Sequence, residues 1–188
     1  MLDKHIIPGV ENVRQLPNYC GPAVLAAVLN YWGIKISQEQ IAKVVFNPHI
    51  QATHGNDLLL YCLKLRLKAY SYRGSIFDAK RKVAANLPLI VLQKFSKATP
   101  STHYRIIIGY DNHRAAFAVI DPERENPFWI SYRRFMELWL PCGKWTLLID
   151  PTSNEAPQEA TTWGNAVLHR NLAVDRLHQW IKLSYLQS

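Results

Sequence analysis

Residues 15–33, QLPNYCGPAVLAAVLNYWG, carry a short polar loop into an apolar helix, and the junction falls on Cys20. Leu25, Val28, Leu29 and Trp32 recur at three- and four-residue spacing and Gly33 follows as a stop, so a helix is predicted over 21–32. Cys20 therefore stands at a helix start. Just downstream, Ser37 with Gln40 forms a capping-box pattern that opens a short helix through about Val45, ended by the Asn47-Pro48 turn. A further helix is expected over 56–65 and an extended segment over 68–73. Ser75 then caps a helix through about Asn86, ahead of Pro88.

From Pro88 onward β-branched runs take over. LIVLQ (89–93), HYRIIIGY (103–110) and AAFAVID (115–121), with a turn over 111–114, predict an antiparallel meander. Ser131 caps a short helix carrying Phe135, Leu138 and Trp139, and KWTLLID (144–150) supplies another strand. Helices first and sheet second make an α+β fold: an N-terminal helical half, with Cys20 at a helix start, packed on a C-terminal antiparallel sheet. One domain is thus expected over 1–150. PTSNEAPQEATT (151–162) has no periodicity and reads as a linker. A C-terminal amphipathic helix is expected over 163–188, with Val167, Ala173, Leu177 and Ile181 on one side and Arg170, Arg176 and Lys182 elsewhere.

A chain of 188 residues, 48% apolar and 19% charged, buries a real core as one domain. No apolar run is long enough to span a bilayer and the first residues lack a secretory pattern, so the expectation is a cytoplasmic protein. The net charge of +8 favours acidic partners, but no basic run reaches five residues, and a nucleic-acid role is not expected. The basic C-terminal helix, with Trp163 and Trp180, suits docking on its own core, a partner protein or peripheral attachment to an anionic membrane surface. Three cysteines without a CxxC pair argue against a disulfide framework and a structural zinc site.

A thiol attacks a carbonyl as the thiolate, which a helix N-terminus favours through its unpaired N–H groups. It also needs a histidine nearby and a third group to fix the ring's tautomer. His103 opens a strongly apolar strand that holds it rigidly, and Asp121 closes the next strand, so a hairpin returns it beside His103. Gln15, five positions before Cys20, can join the Cys20 backbone N–H in binding an oxyanion. Cys62, among Leu59, Leu60 and Leu63, and Cys142 read as packing cysteines, and Trp32, Trp139 and Trp145 as packing aromatics. His54 is read as a solvated loop residue, with contact to substrate as the alternative, while Asp111 and His113 belong to turn chemistry.

The Gln before YCGPAVLAAVLNYWG, the LPLIVLQ strand, the His of STHYRIIIGYD, the VIDPERE turn and the closing FMELW and KWTLLI together resemble the bacteriocin-processing, double-glycine peptidases and their standalone relatives, within the papain-like cysteine peptidases. The resemblance runs from about Val13 to Asp150 in the family's order. It implies a papain-like fold with Cys20 as nucleophile, His103 as base, Asp121 as the group orienting the histidine and Gln15 as oxyanion donor. Peptide or protein would be the substrate, cleaved through an acyl-enzyme after a small pair such as Gly-Gly in a leader, with no metal or organic cofactor. Gln15 stands one residue closer to its cysteine than papain-like enzymes usually place it. The known members joined to export ATPases carry membrane spans and a phosphate-binding loop, and this sequence has no GxxxxGK[ST] motif. Two other classes use the same scaffold: an acyltransferase, in which an amine or thiol resolves the thioester, and a binding module that holds a peptide or partner without turnover.

Overall fold

The computed structural model describes residues 2–96 and 98–151; apart from Pro151, the linker and terminal helix expected over 151–188 lie outside the described residues. Along the chain come β1 (Lys4–Ile6), α1 (Cys20–Tyr31), α2 (Gln38–Val45), α3 (Gly55–Lys64), β2 (Ala69–Arg73), α4 (Ile76–Ala84), β3 (Leu89–Lys94), β4 (Thr102–Asp111), β5 (Ala116–Ile120), β6 (Phe128–Ser131), α5 (Tyr132–Trp139), a 3-10 turn (Leu140–Cys142) and β7 (Trp145–Ile149). The fold is α+β and papain-like, as expected.

Three helix starts are chemically defined. Ser37 and Gln40 form a reciprocal capping box on α2, while Ser75 accepts from Asp78 N–H and Ser131 from Arg134 N–H. Each serine satisfies a donor that the first helical turn would otherwise leave open. The end of α4 comes two residues before the expected one, because Asn86 adopts a left-handed conformation at φ 59 that terminates the helix ahead of Pro88.

The seven strands form one antiparallel sheet in the order β2-β7-β3-β4-β5-β6, with β1 paired to the end of β4. Strands β3 to β6 make the expected meander. The last strand, β7, returns to the middle and pairs with both β2 and β3. Alternate side chains of these strands serve two cores. Ile90, Ile106, Ala118, Ile120, Leu147 and Ile149 face α1, α2 and α3, whereas Leu89, Val91, Ile107, Phe117, Val119 and Leu148 face α4 and α5. Helices thus cover both faces of the sheet, which is why the centres of β3, β4 and β5 read as short continuous apolar runs rather than as alternation. The helical half is not confined to one side: α4 crosses to the far face, where Ala79 and Val83 pack. Each fully buried Ile or Leu contributes about 1.5–3 kcal/mol of transfer free energy.

Helix α1 lies at the centre of the first core. Every residue from Gly21 to Leu29 is buried, the condition of a helix that is apolar all round. Its start is thereby held against the sheet end where β4 begins.

Candidate active site

The chain reaches Cys20 through a turn that its residues dictate. Pro17 is followed by Asn18 at φ 65, and Tyr19 N–H closes on the Leu16 carbonyl at 2.9 Å, the pattern of a type II turn with a left-handed third residue. Tyr19 then serves as N-cap without a side-chain hydrogen bond, and the first turn of α1 contains no acidic residue. Pro22, in that first turn, has no N–H to leave unsatisfied. Gly21 lets α1 approach closely beside Cys20, since a Cβ there would stand 3.0 Å from Thr53 Cβ and 3.4 Å from the Tyr104 ring.

On the opposite wall His103 is 3% exposed, and its Nε2 lies 2.7 Å from Asp121 Oδ1. That contact occupies Nε2, and the Cys20 side chain lies close enough to the ring to influence its charge. Burial opposes charge on the imidazole, but its hydrogen bond to the Asp121 carboxylate, with the Cys20 side chain acting in the same sense, outweighs it, raising the His103 pKa to about 9. Asp121 sits just after β5. The pairing of Ile106 with Ile120 puts Arg105 opposite Asp121 and His103 on the diagonal.

Asp121 is held from three directions. Besides His103, Arg105 Nε donates to Oδ2 at 2.8 Å, and Glu123 N–H donates to Oδ1 at 3.0 Å within the Asp-Pro turn. Burial would raise its pKa, yet the histidine, the guanidinium and the turn amide together keep it well below the usual carboxylate range. Arg105 passes the network on: its Nη1 donates to Gln93 Oε1 at 3.1 Å, and Gln93 Nε2 donates to the Phe135 carbonyl at 3.1 Å. A buried chain of polar groups therefore runs from α5 to the imidazole.

Gln15 N–H donates to the Pro122 carbonyl at 2.9 Å, which fastens the loop before Cys20 to the Asp121 turn. Its side-chain amide is directed at Glu123 Oε1, 3.4 Å away. Cys20, His103 and Asp121 are thus brought together, and Gln15 is tied to the turn that follows Asp121. Around them, Phe95 stacks edge-on against His103 with ring centroids 5.3 Å apart, shielding the imidazole while itself 41% exposed. The Thr53–Gly55 segment packs on the sheet beside the start of α1: Tyr104 Oη donates to the Thr53 carbonyl at 3.1 Å, and a Cβ on Gly55 would stand 2.5 Å from the Trp145 ring. His54 in this segment is exposed, as expected of a loop histidine.

Cys62 is fully buried among the core residues of α3, which pushes its thiol up to about 12 and keeps it protonated. Cys142 is half-buried, with burial raising its thiol and Lys94 acting in the opposite sense. The described residues contain no cluster of three or more metal-ligating side chains. None of their helices is long and apolar enough to cross a membrane.

Arg105, Gln93 and Phe95 were not among the expected site residues. The available signal was Arg105 itself, a charged residue within an apolar strand, two positions from His103. Such a group is buried only with a partner of opposite charge.

The fold recurs in solved structures. A C39-like peptidase from Bacillus anthracis superposes with a TM-score of 0.67 at 18% identity, covering 81% of this chain and 100% of that one. The peptidase domain of Streptococcus ComA, a bifunctional ABC transporter of a quorum-sensing pathway, gives 0.61 at 23% identity over 76% of this chain and 99% of that one. A double glycine motif protease from an AMS/PCAT transporter, solved with its leader peptide, gives 0.58 at 19% over 79% and 99%. No curated protein sequence matches the chain. The model of the Peptidase_C39 like family, however, matches residues 7–146, most of the described chain, so this protein belongs to that family and is a cysteine peptidase.

Proposed function

We propose that the protein hydrolyses a peptide bond through a thioester on Cys20. Sγ attacks the scissile carbonyl, and the resulting oxyanion is held by the Cys20 backbone N–H and the Gln15 side-chain amide. His103, protonated through Nδ1, gives its proton to the leaving amine. The C–N bond breaks and the acyl group remains on sulfur. Water, deprotonated by the now neutral His103, attacks the thioester and releases the acid with Cys20 restored. Asp121 fixes the ring by accepting from Nε2–H, so that Nδ1 faces the reacting atoms.

One observation carries this reading: a buried imidazole bonded through one nitrogen to a carboxylate at 2.7 Å and interacting with the thiol of a helix-start cysteine. We infer that the substrate is a leader peptide cut after a small pair such as Gly-Gly. Support comes from the family and from the leader-bound transporter protease of the same fold.

Two measurements test it. Iodoacetamide at pH 6 should label Cys20 much faster than Cys62 or Cys142, and His103→Ala should slow that labelling; labelling unchanged by loss of His103 would remove the activated pair. A synthetic peptide with an internal Gly-Gly should be cut after the second glycine by the intact protein and not by Cys20→Ala. Cleavage that is indifferent to replacing both glycines by leucine would sink the specificity.

A further inference from the structure

Gln38, the first residue of α2, is 8% exposed, and neither end of its side-chain amide serves its own helix. Its Oε1 accepts from Leu16 N–H at 2.9 Å, and its Nε2 donates to the Arg14 carbonyl at 2.7 Å. The amide therefore straddles Gln15, bonding the residue on either side of it as a neighbouring strand would. From the other edge the Pro122 carbonyl holds the N–H of Gln15 itself. Three successive residues are thus pinned alternately to α2 and to the Asp121 turn.

The side chain of Gln15 is held by fewer and longer hydrogen bonds than this backbone. Its Nε2 reaches Glu123 only at 3.4 Å, and its Oε1 is buried with no hydrogen-bond partner among the described residues. Where that amide points is consequently decided by how its backbone is held. An oxyanion donor acts only if it is already in place when charge develops, so the rigidity has to come from the groups gripping residues 14–16. A side-chain amide carries a neutral donor and a neutral acceptor on two adjacent atoms, which suits it to bonding a backbone carbonyl and a backbone N–H two residues apart.

We propose that Gln38 is a positioning residue for the oxyanion site, acting through the backbone on either side of Gln15. This rests on the reading of Gln15 as oxyanion donor given above. Gln38 touches no reacting atom, and its removal should impair steps that pass through an oxyanion while sparing the nucleophilicity of Cys20.

The two kinds of step can be separated on the full-length chain. Acylation by p-nitrophenyl acetate passes through a tetrahedral oxyanion; alkylation by iodoacetamide displaces iodide at a saturated carbon and does not. Both are read at Cys20 by mass spectrometry of its peptide, for the parent protein, Gln15→Ala, Gln38→Met and Gln38→Glu. Gln15→Ala should slow acylation by roughly 10²-fold, as removal of an oxyanion donor does elsewhere, and Gln38→Met by about tenfold or more, with alkylation changed less than about twofold in both. Gln38→Glu keeps the acceptor for Leu16 N–H but turns a carboxylate toward the Arg14 carbonyl. It should fall between the parent and Gln38→Met, and it carries the same test should the methionine variant fail to fold.

Normal acylation in the Gln38 variants beside slowed acylation in Gln15→Ala overturns the positioning role and leaves the Gln15 reading intact. Equal loss of acylation and alkylation in the Gln38 variants also overturns it, since Gln38 would then only support the fold. Unchanged acylation in Gln15→Ala removes the donor reading and this inference with it.

Discussion

Cys20 stands at a helix start that no side chain caps, on a loop held by backbone hydrogen bonds and one buried amide, whereas His103 stands on a strand in a buried chain of charged and amide side chains. The cysteine wall has no buried charge near its first turn. The histidine wall concentrates an imidazole, a carboxylate and a guanidinium with little access to water. Groups of the second kind are strongly interdependent, because each buried charge relies on the others for the stabilisation that water would have supplied. Damage should therefore spread along the histidine wall and remain local on the cysteine wall.

The largest effect should come from Arg105→Met. It leaves Asp121 without its guanidinium, and breaking a buried ion pair costs about 3–5 kcal/mol, measurable by urea unfolding. The acid limb should change with it. Asp121 is depressed in the native protein, so it contributes stability that is present above its unfolded pKa and lost as pH falls through the native one. Without Arg105 the native value moves up toward normal, and stability should depend less steeply on pH between about 4 and 2. A cost under about 1 kcal/mol, typical of a solvated pair, would erase the contrast between the two walls.

Asp121→Asn comes next and sharpens the contrast on the alkaline side. His103 is raised to about 9, so its charged form contributes stability fully present below the unfolded value of about 6.5 and lost as pH rises through 9. Peptide cleavage, which needs imidazolium for the leaving amine, should hold to about pH 9 and decline above. In Asp121→Asn that decline should move down toward 6.5, with turnover reduced by as much as roughly 10²-fold. A pH profile identical to the parent's would mean that Asp121 does not govern the ring.

On the cysteine wall Gly55→Ala should act more locally. Its Cβ would stand 2.5 and 2.6 Å from two Trp145 ring atoms, and overpacking of this kind costs about 1–3 kcal/mol. The ring that must yield packs edge-on against Tyr104 at 5.7 Å, so peptide KM should rise while iodoacetamide labelling of Cys20 keeps its rate. Slowed labelling would mean that strain crosses the cleft.

The fold was more legible in the sequence than the site's support. Ser37, Ser75 and Ser131 announce helices because a cap is a local signal, satisfied within three residues. The β3, β4 and β5 runs are legible because burial on both faces leaves a continuous apolar stretch at the centre of each. Strands β1 and β6, at three and four residues, are too short for any period to show. In the site, Cys20, His103 and Asp121 are marked by residue type and by position at the ends of elements. Arg105 and Gln38 are not, because their meaning lies in partners that are distant in sequence. Gln38 reads as an ordinary polar residue in the first turn of a helix, and only the loop folded over it shows its amide to be occupied.

That hidden role makes Ser37→Ala the smallest and most discriminating change. Ser37 accepts from Gln40 N–H at 3.3 Å, and Gln40 Oε1 accepts from Ser37 N–H at 2.9 Å. Losing the serine hydroxyl should cost about 1 kcal/mol of stability by thermal or urea unfolding. Yet the amide of the next residue remains bonded to Arg14 and Leu16, and its two hydrogen bonds do not pass through the cap. The ratio of acylation to alkylation at Cys20 should accordingly stay at the parent value although the helix start is weakened. If the ratio fell as far as in Gln38→Met, the loop before Cys20 would be held by the whole first turn of α2 rather than by one side chain, and the cysteine wall would be as interdependent as the histidine wall.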